Sequence, residues 1–154
     1  MNKGEQAPDF DLPDQHGTRR KLSDFLAQGP LVLFFYPIAL SSGCTAESCH
    51  FRDLGAEFAE LGAQRAGISN DTVERQLEFD KTNAFGYPLL SDEDGAVATA
   101  FGVRRTGLLA GLSPTRRQTF VIDTDRTILD VVKSEVRMQA HAEGALKALR
   151  ARTA

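Results

Sequence analysis

A cysteine stands where the chain passes from a predicted strand to a predicted helix. Cys44 ends a short loop, residues 37–43, that follows an apolar run at residues 31–36 and precedes a segment with helical periodicity. Backbone N–H groups point outward at a helix N-terminus, and the helix dipole there favours an anion. Such a position stabilises a thiolate, which is the nucleophilic form of cysteine. Because the chain's other cysteine, Cys49, follows five residues later, the pair suggests thiol redox chemistry.

Length and composition predict one globular domain spanning residues 1–154. Hydrophobic residues make up 42% and charged residues 25%, and the net charge of −3 gives no reason to expect nucleic acid or a membrane as partner. No apolar run approaches the roughly 20 residues of a membrane span, and the N-terminus lacks the apolar core of a signal peptide. We therefore expect a cytoplasmic protein, where a persistent structural disulfide is disfavoured. Two cysteines and three scattered histidines lack the spacing of a zinc site.

Hydrophobic patterning predicts strands that alternate with helices. The run at residues 31–36 is apolar at every position, which is typical of a central strand covered on both faces. Further predicted strands or extended segments lie at residues 7–12, 18–22, 66–69, 87–90, 118–122 and 127–134. Predicted helices lie at residues 44–61, 72–84 with Asp71 as the N-cap, 97–101, and 141–152, with a short helical turn at 23–26.

This order predicts an α/β fold whose central mixed sheet is flanked by helices on both faces, with an N-terminal β-hairpin extension. A cysteine at the start of the helix after the central strand makes the order similar to the thioredoxin-like fold. The chain has no Cys-x-x-Cys motif, which argues against an ordinary dithiol oxidoreductase.

The residues around Cys44 resemble a more specific signature. Residues 35–37 followed by residues 41–44, Phe-Tyr-Pro and Ser-Ser-Gly-Cys, resemble the active-site motif of the peroxiredoxins. Gly43-Cys44-Thr45, with Cys49 and the Phe-Arg-Asp at 51–53, is similar to the bacterioferritin-comigratory, or Q-type, subfamily. Further matches cover nearly the whole chain in order, at residues 7–10, 67–69, 88–92, 101–103 and 117–123.

The resemblance implies a thiol-dependent peroxidase that needs neither a metal nor an organic cofactor. Cys44 would attack hydrogen peroxide or an organic hydroperoxide and become a sulfenic acid. Cys49 would then resolve the sulfenic acid in an intramolecular disulfide, and thioredoxin or a similar dithiol reductant would regenerate the enzyme. In an intact helix, residues five apart have Cα atoms roughly 8–9 Å apart, whereas a disulfide usually needs less than about 7 Å. We therefore expect residues 43–51 to unwind when the disulfide forms.

The resemblance also assigns the surroundings of the peroxide. Pro37 would shield the sulfur from water and set the loop, and Ser41 would hydrogen-bond the peroxide. Arg117 would stabilise the thiolate and polarise the peroxide, which requires donors aimed at oxygens where charge develops. The expected substrate-binding residues are Tyr36, Gly43 and Phe35.

The chain departs from the family pattern in the active-site loop. Ser42 stands where proline is common, and Ile38, Ala39 and Leu40 replace a typically more polar stretch. A less rigid and more apolar rim favours bulkier, apolar hydroperoxides over hydrogen peroxide. A second apolar segment at residues 107–112 is expected to pack over the site or to form a weak dimer contact, although a monomer is favoured.

Each of these residues also has a plainer interpretation. Cys44 and Cys49 could be inert buried thiols, Ser41 a helix cap, and Arg117 a charge on a solvated strand edge. His50 beside Cys49 is disfavoured as a base because neighbouring helix side chains diverge by about 100°, and His16 and His141 are expected at the surface. Two other functions stay open: a thioredoxin-fold redox sensor or binding protein without useful turnover, and a structural domain with two spare thiols.

Overall fold

A computed structural model describes residues 1–107 and 114–153. In chain order the elements are β1 (Asp11–Pro13), β2 (Arg19–Lys21), α1 (Leu22–Leu26), β3 (Leu31–Phe35), α2 (Ser42–Asp53), α3 (Gly55–Glu60), β4 (Gln64–Ser69), α4 (Val73–Asn83), β5 (Leu89–Ser91), α5 (Ala96–Ala100), β6 (Gln118–Ile122), β7 (Ile128–Lys133) and α6 (Met138–Thr153).

Five of the strands form one mixed sheet in the order β5-β4-β3-β6-β7. Strands β3, β4 and β5 are parallel, whereas β6 is antiparallel to both β3 and β7. Strands β1 and β2 form a separate antiparallel pair near the N-terminus. The predicted central strand, mixed sheet and N-terminal hairpin are therefore confirmed.

The side chains of β3 divide the core into two layers. All five residues of the strand are buried, and successive side chains of a strand point to opposite faces of the sheet. Leu33 and Phe35 join a cluster with residues of α1 and α5. Val32 and Phe34 join a second cluster that includes Cys44 and residues of α2, α3, α4 and α6. The site around Cys44 is thus built on the second face.

The predicted single helix at residues 44–61 is wrong, because the segment forms two helices. Helix α2 ends at Asp53 and α3 begins at Gly55, with Leu54 between them at φ −94° and ψ 16°. The guanidinium of Arg65 donates a 2.8 Å hydrogen bond to the carbonyl oxygen of Phe51, in the last turn of α2. A Cβ at position 55 would lie only 3.1 Å from Arg65 Nη1. Glycine at this position therefore lets the arginine reach the end of α2.

Two predicted helix starts also differ from the structure. Thr72, not Asp71, is the N-cap of α4, since its hydroxyl oxygen accepts from the backbone N–H of Arg75. Asp71 instead accepts from the backbone N–H of Ala39 and from the Ser69 hydroxyl. Helix α6 begins at Met138, three residues before the predicted start at His141.

Two further findings concern the expected membrane and loop properties. Across residues 1–107 and 114–153, no helix combines the length and apolar character that a bilayer crossing requires. The apolar segment at residues 107–112 lies outside the described residues except for Gly107.

Candidate active site

The local fold places Cys44 in the first turn of α2. Strand β3 ends at Phe35, and the chain then crosses a loop before α2 begins at Ser42. The first helical hydrogen bond runs from Thr45 N to Ser41 O at 2.9 Å. The N–H groups of residues 42–44 therefore precede the hydrogen-bonded ladder and are available to an anion or an oxygen atom. The Cys44 side chain is fully buried, and both cysteines are free thiols.

Strand pairing brings Arg117 to Cys44 across 73 residues of sequence. Phe35, the last residue of β3, pairs with Gln118, the first residue of β6. Arg117 therefore lies beside the loop that leads into α2. Its Nη2 donates to Cys44 Sγ at 3.3 Å. Burial works against its charge, but Glu47 and Cys44 beside it raise the pKa of Arg117 above its ordinary value.

Glu47 lies one helical turn after Cys44 and shares the same arginine. Arg117 Nη1 donates to Glu47 Oε1 at 3.2 Å, so one guanidinium contacts both the sulfur and the carboxyl group. The Glu47 side chain is fully buried. Burial raises the pKa of Glu47 to about 8, while the charge and hydrogen bond of Arg117 act in the opposite direction.

His141 is buried beside Glu47, so the expectation that it lies at the surface is wrong. Its Nε2 lies 3.3 Å from Glu47 Oε2 and 2.8 Å from the carbonyl oxygen of Ser134. Its Nδ1 lies 2.8 Å from Thr119 Oγ1. Burial lowers the pKa of His141 below its ordinary value. His141 lies four residues before Ala145 and eight before Leu149, so it falls on the same buried face of α6.

The loop between β3 and α2 is held by bonds to neighbouring elements. Ser41 occupies the N-cap position of α2, but its side chain makes no capping bond and instead donates to Ile38 O at 2.9 Å. Asp71 accepts from the Ala39 N–H at 2.7 Å, and Arg75 donates to the Ala39 carbonyl oxygen at 3.2 Å. Pro37 lies within this loop and is half-buried. Ser41 is thus the N-cap of α2 by position, but its side chain does not make the capping hydrogen bond.

The three expected substrate-binding residues do not share one surface. Gly43 lies beside the arginine, since a Cβ at this position would be 3.4 Å from Arg117 Nη2 and 3.5 Å from Met138 Cε. Tyr36 belongs to the same buried cluster as Cys44, and its hydroxyl donates to Gln76 Oε1 at 2.5 Å. Phe35 points to the opposite face of the sheet, where its ring packs against Phe101 and Phe120. Phe35 is therefore corrected to a core residue.

Cys49 lies on α2, half-buried, and its thiol points towards α4. Cys49 Sγ is 3.7 Å from Asn83 Oδ1, at the C-terminal end of α4. The neighbouring Arg52 donates to the carbonyl oxygen of Asn83 at 2.6 Å. These contacts hold the second half of α2 against α4. Since Cys44 and Cys49 lie on the same continuous helix, the geometry that keeps them apart is present in this state.

Two side chains bind backbone carbonyl oxygens around Cys49. The hydroxyl of Tyr87, which is buried, donates to Ser48 O at 2.6 Å. The guanidinium of Arg65 donates to Phe51 O and lies 5.0 Å from the centre of the Tyr87 ring. We refer to Tyr87 and Arg65 together as the α2 clamp. The clamp holds the carbonyl groups on either side of the Cys49–His50 pair.

Sequence reasoning did not predict the contact of Glu47 with Arg117, the burial of His141 or the tertiary contacts of the remaining residues. Glu47 follows Cys44 by three positions, a spacing that puts two helix residues on one face. His141 is four residues before Ala145 and eight before Leu149, both buried, and this period could have placed it inside. No sequence pattern indicates Tyr87, Arg65 or Met138, because their roles depend on tertiary contacts.

Comparison with known proteins agrees with the geometry. The model of the AhpC/TSA family matches residues 3–131. The crystal structure of peroxidoxin BcpB from Mycobacterium tuberculosis is 58% identical, with a TM-score of 0.93 over 98% of this chain and 97% of that one. Chloroplastic peroxiredoxin Q from Oryza sativa subsp. japonica is 36% identical over 151 residues, which are 97% of this chain and 67% of the rice protein.

A third relative is the bacterioferritin comigratory protein of Xanthomonas campestris, described for its alkyl peroxide reduction activity. It is 31% identical, with a TM-score of 0.85 over 94% of this chain and 92% of that one. The α/β architecture is the thioredoxin-like fold shared with these structures. The chain therefore belongs to the AhpC/TSA family and is a thiol-dependent peroxidase of the peroxiredoxin Q type.

Proposed function

We propose that Cys44 is the peroxidatic residue. Its thiolate attacks the terminal oxygen of a hydroperoxide, the S–O bond forms as the O–O bond breaks, and the products are Cys44 sulfenic acid and an alkoxide or hydroxide. That anion takes up a proton and leaves as an alcohol or water. The observation that carries this proposal is the 3.3 Å contact between Arg117 Nη2 and Cys44 Sγ in a buried helix N-terminus.

The groups around Cys44 can stabilise both the attacking thiolate and the oxygen that leaves. The free N–H groups at residues 43 and 44 and the guanidinium of Arg117 are donors of the kind that stabilise negative charge developing on oxygen. Pro37 would shield the sulfur from water, and Tyr36 lies in the same buried cluster as Cys44. Ser41 would bind the peroxide by rotating its hydroxyl away from Ile38 O, where it donates in the resting site.

We further propose that Cys49 resolves the sulfenic acid. Its thiolate attacks the Cys44 sulfur, a disulfide forms, and the oxygen leaves as water. Support comes from the position of both residues on α2 and from the absence of a third cysteine in the sequence. Because the intact helix keeps the two Cα atoms too far apart, the step requires local unwinding of residues 43–51.

A thioredoxin-type dithiol reductant would return the disulfide to two thiols and complete the cycle. We propose that the chain works as a cytoplasmic single-domain monomer, with a weak dimer as the alternative. Gel filtration of the reduced protein at two concentrations tests the oligomeric part: a single peak near 16.8 kDa that does not move with concentration supports a monomer. A concentration-dependent shift to twice that mass supports the dimer.

The test of turnover is a coupled assay with peroxide, thioredoxin, thioredoxin reductase and NADPH. Sustained NADPH oxidation, proportional to enzyme concentration, is expected for a peroxidase. A burst that stops after one equivalent of peroxide would instead support a sensor that transmits oxidation to a partner.

Two cysteine variants complete the test. Cys44→Ser is expected to abolish peroxide consumption, whereas Cys49→Ser should consume about one equivalent and then stop in the thioredoxin assay. If Cys44→Ser consumes peroxide as fast as the unchanged chain, both the peroxidatic assignment and the proposed cycle are wrong.

A further inference from the structure

A buried row of polar side chains continues from the reactive sulfur into α6. Beyond the Cys44–Arg117–Glu47 contacts, Glu47 Oε2 lies 3.3 Å from His141 Nε2, and His141 Nδ1 lies 2.8 Å from Thr119 Oγ1. Glu47, Thr119 and His141 have no exposed surface. The row therefore joins the first turn of α2 to β6 and α6 without contact with solvent.

The contacts of His141 determine where its ring hydrogen lies. Nε2 is 2.8 Å from the carbonyl oxygen of Ser134, which can only accept a hydrogen bond. Nε2 therefore carries a hydrogen that is directed at Ser134 O, and Glu47 Oε2 lies 3.3 Å from the same nitrogen. In the neutral ring, which burial favours by lowering the pKa of His141, Nδ1 accepts from the Thr119 hydroxyl.

The Glu47 carboxyl group lies between Arg117 and His141. Its Oε1 accepts from Arg117, and its Oε2 lies 3.3 Å from His141 Nε2. Within residues 1–107 and 114–153, no side chain or backbone group gives Oε2 a well-aligned hydrogen bond. His141 Nε2, at 3.3 Å, is the N–H group available to Oε2, and a rotation of the carboxyl group away from Arg117 would also take Oε2 away from it. Such a rotation is opposed because a buried carboxyl oxygen without a nearby donor is costly.

We propose that His141 is a positioning residue for peroxide reduction, which holds the Glu47 carboxyl group so that Glu47 in turn aims Arg117 at the sulfur of Cys44. The inference rests on the proposed function, because it uses the roles assigned there to Cys44 and Arg117. His141 acts through Glu47, since its polar contacts are with Ser134, Thr119 and Glu47.

Replacement of the His141 imidazole tests whether its N–H group is needed for the reaction with peroxide. His141→Leu keeps much of the volume but removes the N–H, and the single-turnover rate constant for oxidation of reduced enzyme by hydrogen peroxide is expected to fall roughly tenfold to a hundredfold. His141→Gln places an amide N–H near the position of Nε2 and should restore the rate to within about threefold of the unchanged chain. Equal rates for His141→Leu and the unchanged chain, or a glutamine variant as slow as the leucine variant, would overturn the proposal.

A double-mutant cycle tests whether the effect passes through Glu47. The cycle is measured above about pH 8, where the Glu47 carboxyl group is ionised and both of its oxygens accept. Glu47→Gln offers one oxygen and one NH₂ group, so it cannot accept from both Arg117 and His141, and it is expected to slow the reaction by itself. His141→Leu should then add no further loss in the Glu47→Gln background, because the carboxyl group that it positions is already absent. Full additivity of the two losses would indicate a structural role only and would contradict the proposal.

Further measurements distinguish a misfolded variant, a failure of the His141 proposal and a failure of the proposed function. Circular dichroism checks that each variant is folded; if His141→Leu is not, Thr119→Val replaces it and is expected to slow the reaction because Nδ1 loses its donor. An unchanged rate for Thr119→Val would then contradict the proposal. Failure of the proposed function is distinguishable, since it requires Cys44→Ser to match the unchanged chain whatever the His141 variants do.

Discussion

The hydroxyl group of Tyr87 donates a 2.6 Å hydrogen bond to the carbonyl oxygen of Ser48, one residue before Cys49. This bond holds the backbone of α2 where it must open if Cys49 is to reach Cys44. The helix that presents Cys44 at its N-terminus is thereby also restrained at the position of the proposed resolving residue. The α2 clamp thus favours the intact helix over the unwound state that the proposed disulfide requires.

Removal of the clamp hydroxyl should accelerate resolution. Tyr87→Phe removes the hydrogen bond to Ser48 O, which stabilises α2 only while the helix is intact. Unwinding of α2 should therefore become easier, and disulfide formation should speed up by as much as about tenfold. Stopped-flow measurement of the step that follows sulfenic acid formation gives the rate. At high peroxide, mass spectrometry should show less sulfinic acid on Cys44, because overoxidation competes with resolution.

A matched control removes a similar bond elsewhere. Thr99 donates from its hydroxyl to Gly95 O in the short helix α5, and Thr99→Val should leave the rate of disulfide formation unchanged. An equal acceleration in both variants would mean that general loosening, and not the clamp, controls resolution.

The two contacts of Arg117 predict that lysine cannot replace it. The guanidinium reaches Cys44 Sγ with one nitrogen and Glu47 Oε1 with the other, whereas an ammonium group is a single point of charge without a planar fork. Arg117→Lys should lower the rate constant for reaction with hydrogen peroxide by roughly a hundredfold. Arg116→Lys, at the exposed neighbouring position, is the control and should stay within about twofold. Similar decreases of the rate constant in both variants would contradict a specific role of Arg117 in the reaction.

The buried carboxyl group predicts a pH-dependent penalty on stability. Burial raises the pKa of Glu47 to about 8 from the ordinary value of 4.5, so the folded chain binds this proton more tightly than the unfolded chain does. Stability contributed by this group is therefore complete at pH below about 4.5 and is lost as pH rises towards about 8. Glu47→Gln lacks this dependence.

Urea unfolding at pH 5 and pH 8 measures the effect. The free energy of unfolding of Glu47→Gln, relative to the unchanged chain, should increase between the two pH values by an amount on the order of a few kcal/mol. His141 is present in both proteins, so its own titration largely cancels in the comparison. A difference that stays constant from pH 5 to pH 8 would contradict the assignment of the raised pKa.

The composition of the active-site loop predicts a substrate preference. Ile38 is 40% exposed and lies in the same loop as Leu40, which is half-buried. We expect a higher kcat/KM for cumene hydroperoxide than for hydrogen peroxide, with the preference reduced in Ile38→Asp. Ser42→Pro tests the contribution of loop rigidity separately. A clear preference of the unchanged chain for hydrogen peroxide would refute the idea.

The sequence predicted the elements that depend on local patterns. The apolar run before Pro37 identified β3, and the position of Cys44 after it predicted the helix start. The break between α2 and α3 was not predicted, and it is accompanied by a tertiary contact, in which Arg65 of β4 donates to Phe51 O. Propensity and periodicity do not report such tertiary contacts.

The same limit applies to the site. Arg117 was assigned to the site from a family resemblance. The physical reason for its position beside Cys44 is the pairing of Phe35 with Gln118 across β3 and β6. His141 was expected at the surface, although its spacing to the buried Ala145 and Leu149 is that of an inner helix face. Phe35 was expected at the pocket because it adjoins Tyr36, although alternation along the strand directs it to the other face.

Amide hydrogen exchange of residues 43–51 tests the central claim most directly. The claim is that the helix which activates Cys44 must open before Cys49 can react with it. We predict that these amides are protected in the reduced enzyme and lose protection in the Cys44–Cys49 disulfide form, while β4 (Gln64–Ser69) stays protected in both. Equal protection of residues 43–51 in the two forms would contradict the account.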